Sequence, residues 1–128
     1  TPWSSSAASD VYKRQHLIMG LSTSARSGLH GLSKALSREV AQYNITINNV
    51  LPERIDTDRQ TQILNFQAKL ADSTYEEAKK ELEETLTAKR MGTVEEFSGI
   101  CTFLCSEQAA YISGQNISVD GGNSTNLI

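Results

Sequence analysis

Tyr75 and Lys79 stand one helical turn apart, a spacing that could set an ammonium beside a phenol. A phenol has an ordinary pKa of ~10, and a neighbouring cation lowers it toward the range where it can give and take protons near neutrality. The surrounding pattern assigns the pair a different task. Tyr75, Ala78, Leu82 and Leu86 recur at helical spacing, while Glu76, Glu77, Lys79, Lys80, Glu81, Glu83 and Glu84 take the other faces. Tyr75 is therefore expected on the apolar stripe of an amphipathic helix, and Lys79 on its solvated side.

Three other groups could carry chemistry. Cys101 and Cys105 share a helix face but have no His or third Cys nearby to complete a metal site, so they read as buried thiols in a reducing compartment. His30 has no carboxylate or metal partner in view and reads as structural, and His16 supports no inference. The run Pro52-Glu53-Arg54-Ile55-Asp56-Thr57 follows a strand-like segment, and the ends of strands are where open α/β sheets take their ligands. An ordinary strand exit, with Asp56 or Thr57 capping the next helix, would explain the same residues.

The elements that must position these groups follow from periodicity. Leu21 to about Gln42 reads as one helix, with Leu29, Leu32, Leu36 and Val40 as its apolar stripe and Ala25, Gly28, Gly31 and Ala35 as small residues that let another backbone approach. Ser22 or Ser24 would cap it, and Arg26 would lie at its rim. Ile45 to Leu51 is rich in β-branched residues and reads as a strand ending at Pro52. Ile63, Phe66 and Leu70 mark a short helix. Ser73 with Glu76, and Thr93 with Glu96, carry capping-box spacing ahead of two further helices. The second of these presents Phe97, Ile100, Cys101 and Leu104 on one side and stops near Ser106. Ile117 and Val119 alternate as a last strand before Gly121-Gly122. Helix feeding strand at short spacing is the half-unit of a parallel α/β sheet.

A chain of 128 residues allows one small domain. Net charge −3 with mixed signs offers no basic patch, so nucleic acid is not expected as a partner. Residues 1–15 show no apolar run or period, and the start of the chain lacks the apolar core of a signal peptide. Residues 1–20 read as neither secretory nor membrane-spanning, and are set aside as foreign to the fold or disordered. Two strands cannot hide both faces of a parallel sheet, so residues 21–128 are expected to be one half of a larger domain.

Arg90-Met91-Gly92-Thr93-Val94-Glu95-Glu96, Ser113 to Gly122 and Asn48 to Thr57 together resemble the carboxyl-terminal signature of short-chain dehydrogenase/reductases, in the branch similar to 3-oxoacyl-acyl-carrier-protein reductases. The resemblance runs from Leu21 to about Asn123. It implies the C-terminal part of a Rossmann-type doubly wound parallel sheet, with the helices after Pro52 as a lid insertion. Laid through Gly31-Leu32 and Asn48, the family's acid–base tyrosine falls on Ser22 and its lysine on Arg26. A serine hydroxyl is a far weaker acid, and a guanidinium stays protonated, although Arg26 could still grip ribose hydroxyls. The family's serine would fall near Ser9, in a tract with no strand pattern.

On the cofactor side, the resemblance places Pro52, the backbone of Ile55 and the hydroxyl of Thr57 against the nicotinamide. Glu53 stands where the family turns on a glycine. The implied activity is hydride transfer between NAD or NADP and a small-molecule carbonyl or alcohol, in a cytoplasmic homo-oligomer that does not engage a membrane. The long helix and the Phe97–Leu104 helix with its strand would form the contacts between copies. The Gly-rich turn that holds a dinucleotide pyrophosphate has no counterpart here, so the chain alone is expected to be inactive. A catalytically silent relative that binds a ligand or forms an oligomer is the alternative.

Overall fold

A computed structural model describes residues 20–125 of the chain. Apart from Gly20, which opens the first helix, the expectations for residues 1–20, including Ser9 and His16, lie outside the described residues. The elements in chain order are α1 (Gly20–Val40), a 3-10 turn (Ala41–Tyr43), β1 (Asn49–Pro52), α2 (Asp58–Leu70), α3 (Tyr75–Thr85), α4 (Val94–Leu104), a second 3-10 turn (Glu107–Ala109) and β2 (Asn116–Val119). The strands form a two-stranded sheet. Asn49 donates its amide to the Gln115 carbonyl at 2.8 Å and Glu53 its amide to Val119 at 3.3 Å. Donor and acceptor advance together, so the strands are parallel. The chain divides into two compact units. One runs to Val50, resumes at Phe103–Ile117 and takes the chain again from Ser124, and the other comprises Leu51–Thr102 with Ser118–Asn123.

In the first unit α1 turns two serines inward. Ser33 and Ser37 are its buried residues, whereas Leu29, Leu32 and Leu36 are 56%, 56% and 39% exposed. The apolar stripe expected to face a core does not meet one among the described residues. The helix approaches its neighbours on small side chains: Ser33 Oγ donates to Asn49 Oδ1 at 3.2 Å, and Lys34 Nζ to the Gly114 carbonyl at 3.0 Å. Gly114 sits at φ +70, and a Cβ there would lie 2.6 Å from Ser37 Oγ, so only glycine suits both the conformation and the space. Asn44, at φ 58, ends the helical run and donates its amide to Ala41.

The first strand is shorter than the β-branched run from Ile45 predicts. Before Asn49 one backbone bond remains, from the Gly114 amide to the Ile47 carbonyl, and side chains take other pairing groups. Ile47 donates its amide to Ser113 Oγ, while Asn48 donates Nδ2 to the Ile112 carbonyl and accepts the Gln115 amide on Oδ1. Asparagine satisfies backbone groups locally and so delays the regular ladder.

In the second unit α2 and α3 pack as a helical hairpin. Leu64, Leu86 and Met91 form the buried cluster, with Tyr75, Ala78 and Leu82 against it. The α3 stripe is thus as expected, but the α2 stripe is not. Gln60, Leu64 and Ala68 turn inward, and Phe66 and Leu70 remain 63% and 74% exposed. The box before α3 also shifts by one residue. Thr74 Oγ1 accepts the Glu77 amide, and the Glu77 carboxylate accepts the Thr74 amide. Ser73 instead completes the exit from α2, donating its amide to Ala68 at 2.9 Å after Asp72 turns at φ 51. The Thr93–Glu96 box forms as expected.

Candidate functional site

Beyond the ends of β1 and β2, within the second unit, lies an open cleft of about 170 Å³. Arg54, Ile55, Arg90, Glu96, Asp120 and Gly121 line it. It stands at the carboxyl edge of parallel strands, where α/β sheets gather ligand groups because several loops converge there.

Ile55 is held in the cleft by backbone alone. Gly92 donates its amide to the Arg54 carbonyl and accepts the Asp56 amide, both at 2.8 Å, making a one-residue parallel bridge between Ile55 and Gly92. A parallel bridge spends the groups on either side of the bridged residue. The amide and carbonyl of Ile55 itself point away from Gly92, and neither has a partner among the described residues. The approach is close, since a Cβ on Gly92 would stand 2.9 Å from Ile55 Cδ1.

One wall is fixed by a two-point ion pair. Arg90 Nη1 and Nη2 donate to Glu96 Oε2 and Oε1 at 2.8 and 2.7 Å, and Nη1 also reaches the Met91 carbonyl. The Arg90 hydrogen bond, followed by the Thr93 amide, lowers the Glu96 carboxyl from 4.5 to about 2, and the same pair raises the Arg90 guanidinium.

The residues singled out in the sequence divide between the two units. Ser22 and Arg26 lie one turn apart on α1 in the first unit, Ser22 half-buried and Arg26 exposed. Neither Ser22 nor Ser24 caps the helix, because α1 already begins at Gly20. Ser24 Oγ donates back to the Gly20 carbonyl at 2.9 Å. Pro52, Ile55 and Thr57 belong to the second unit. Pro52 ends β1, Ile55 lines the cleft, and Thr57 caps α2, its hydroxyl accepting the Gln60 amide at 3.4 Å. Tyr75 packs on the buried cluster, and Lys79 lies 4.0 Å from Asp56, so this pair serves the hairpin. Cys101 is half-buried, but Cys105 is exposed at the end of α4, contrary to the reading of two buried thiols. No group of three or more His, Cys, Asp or Glu among the described residues could hold a metal ion.

Two features escape a reading by motif. Gly92 looks like an ordinary helix-preceding glycine until its bridge to Ile55 is seen. Glu53 joins a network whose members are far apart in sequence: Asn123 Nδ2 donates to Glu53 Oε1 at 2.7 Å, and Thr87 Oγ1 donates to Asn123 Oδ1 at 3.2 Å. No local spacing signals either one.

A family described as Enoyl-(Acyl carrier protein) reductase matches residues 3–124. Sequence relatives include the NADPH-dependent reductase BacG of Bacillus subtilis (strain 168), 33% identical over 89% of this chain and 44% of the relative. Another is the 3-oxoacyl-acyl-carrier-protein reductase FabG of Aquifex aeolicus (strain VF5), 37% identical over 78% of this chain and 36% of the relative. The chain belongs to the short-chain dehydrogenase/reductase family. Among solved structures, YwfH, an NADPH dependent reductase involved in bacilysin biosynthesis, superposes with a TM-score of 0.81 at 32% identity, over 91% of this chain and 44% of that one. The L-sorbose reductase of Gluconobacter frateurii, complexed with NADPH and L-sorbose, gives 0.76 at 29% identity, over 82% and 40%. The short-chain dehydrogenase/reductase fold is thus the α/β fold in which this segment sits, and the chain spans less than half the length of these relatives.

Proposed function

We propose that this chain is the carboxyl-terminal part of an NAD(P)-dependent oxidoreductase that moves a hydride between the nicotinamide and a small carbonyl or alcohol. The observation that carries the reading is the unspent backbone pair of Ile55. One donor and one acceptor on an extended residue match the acceptor and donor of a carboxamide, and the Gly92 bridge holds them in place. The nicotinamide when bound supplies or takes the hydride, and the chain supplies orientation. Pro52 turns the chain out of β1, Ile55 offers the backbone pair, and Thr57 divides its hydroxyl between the α2 cap and the cofactor edge. Arg26 is assigned to the ribose hydroxyls. BacG is an NADPH-dependent reductase by name and the L-sorbose reductase is complexed with NADPH, which supports a nicotinamide cofactor in the parent protein, and a cytoplasmic location goes with that reading. No helix among the described residues is long and apolar enough to cross a membrane.

The test is the complete reading frame. The full-length protein should quench and bind NAD(P)H and reduce a ketone, whereas the 128-residue chain should not, because it lacks a pyrophosphate cradle. A micromolar NAD(P)H site on the isolated chain, or none on the full-length protein, would refute the reading. Ser22 favours a second one, a silent relative. Its hydroxyl lies within α1 and is a far weaker acid than a phenol, so it needs an adjacent general base to act. Replacing Ser22→Tyr with Arg26→Lys in the full-length protein should raise ketone reduction. If cofactor still binds and the rate does not rise, the result points to another acid or to a silent fold.

A further inference from the structure

The loop Arg54–Thr57 is fastened on one side by Gly92. On the other side stands a network that nothing in the catalytic reading uses. Glu53 is half-buried, and its Oε1 accepts from Asn123 Nδ2 at 2.7 Å, a short contact for a charge-assisted bond. Asn123 is itself held: its Oδ1 accepts from Thr87 Oγ1 at 3.2 Å, and its amide donates to the Asp120 carbonyl at 3.2 Å. The turn that carries it is stiffened by Gly122, which donates its amide to Asp120 Oδ1 at 3.0 Å. Gly121 and Gly122 hold φ of +62 and +79, and a Cβ on Gly121 would meet Ala88 at 2.9 Å. Three separate segments, after β1, after α3 and after β2, thus converge on one amide side chain inside the second unit.

We propose that Glu53 is a positioning residue. Through Asn123 and Thr87 it clasps the nicotinamide-side loop to the end of β2, and so sets cofactor affinity rather than the rate of the chemical step. The assignment to affinity rests on the functional reading above, whereas the clasp itself does not. A glycine at this position would keep the Gly92 bridge, the backbone bond to Val119 and the Lys79–Asp56 pair, but it would have no side chain to reach Asn123. A carboxylate adds a side-chain fastening at the first residue beyond β1, on the side of Ile55 away from Asp56. Preorganising a binding loop cuts the ordering cost at the moment of binding and appears in the dissociation constant. It does not change the order of proton and hydride movement once the cofactor is seated.

The experiment uses four variants of the full-length protein: Glu53→Ala, Asn123→Asp, Glu53→Gln, and the double variant Glu53→Gln with Asn123→Asp. Glu53→Ala removes the acceptor, and Asn123→Asp sets carboxylate against carboxylate. Glu53→Gln keeps an acceptor for Asn123. The double variant restores the bond with its polarity reversed, because the new amide donates to the new carboxylate while Thr87 keeps its acceptor. Hydrogen exchange at the Asp56 amide, which bonds to Gly92, reads the clasp without any cofactor. Fluorescence titration with NAD(P)H reads affinity, and kcat at saturating cofactor reads the chemical step.

Glu53→Ala and Asn123→Asp should each speed exchange and weaken NAD(P)H binding about tenfold, with kcat changed less than about twofold. Glu53→Gln and the double variant should stay within about threefold of the parent in both measurements. Unchanged exchange in Glu53→Ala, or no recovery in the double variant, would overturn the clasp. Faster exchange with unchanged NAD(P)H affinity, or a loss confined to kcat, would overturn its role in cofactor binding. A parent that binds no NAD(P)H would remove the functional reading and the affinity role with it, and exchange would still decide the clasp.

Discussion

A methyl group at Gly92 would make the Ile55 side chain give way. The Cβ that Gly92→Ala adds would stand 2.9 Å from Ile55 Cδ1, with the Arg54 carbonyl at 3.8 Å, so Ile55 or its loop must move. Ile55 Cδ1 is the free end of a flexible side chain, so it can turn aside at a cost of at most about 1 kcal/mol, and the full-length Gly92→Ala protein should lose no more than that in urea unfolding. It should also bind NAD(P)H more weakly if Ile55 is the carboxamide partner. A second residue-scale expectation concerns acid. Glu96 has its carboxyl lowered from 4.5 to about 2, so its pairing stabilises the fold fully above about pH 4.5 and the effect fades as pH falls through about 2. Glu96→Gln lacks that contribution at every pH. The stability gap between parent and Glu96→Gln should therefore be constant near neutrality and close toward pH 2 in pH-stepped urea unfolding. A gap that widens on acidification would contradict the Arg90 pairing.

At the scale of elements, local chemistry was readable and partner choice was not. The Thr93–Glu96 box and the α3 stripe through Tyr75, Ala78 and Leu82 could be read from spacing, because caps and amphipathic faces are decided within a few residues. The stripe on α2 could not, since Leu64 and Phe66 are equally apolar and only packing against α3 selects the line through Gln60, Leu64 and Ala68. The late start of β1 and the move of the box before α3 from Ser73 to Thr74 have the same origin. Side chains of Asn48 and Ser73 answer backbone groups that regular patterns leave to the ladder and the cap. At the site, the loop Pro52–Thr57 was legible as a strand exit with Thr57 as a helix cap, but the bond from Asn123 to Glu53 and the bridge at Gly92 depend on contacts that sequence spacing does not encode. Thr74→Ala removes the acceptor for the Glu77 amide and should cost about 1 kcal/mol, seen as a lower thermal midpoint. Glu77→Gln, which keeps the reciprocal hydrogen bond, should cost less.

At the scale of the whole molecule, α1 presents two faces that the described residues do not cover. Leu29 and Leu36 flank the inward line of Ser33 and Ser37, and by the helical period Gly28, Gly31 and Ala35 lie on the far side of the helix from it. All three are exposed, and a methyl group on either glycine would meet nothing within 4 Å beyond the adjoining backbone of its own helix. This chain spans 44% of BacG, so a longer parent brings further elements that can cover the leucines beside the sheet-facing line. The far side is different, because a helix packed on a sheet turns that side outward, and a row of small residues there suits a second helix at close range. We expect that second helix to be the same helix of another copy. Two-fold symmetry needs a surface that complements itself, and a small-residue row meets that need by letting two backbones approach. Gly31→Trp should then reduce the mass of the full-length protein in light scattering while its circular dichroism stays native, since the indole clashes across the axis and not within one subunit. A parent that is monomeric, or a Gly31→Trp protein of unchanged mass, would place the contact between copies elsewhere or exclude it.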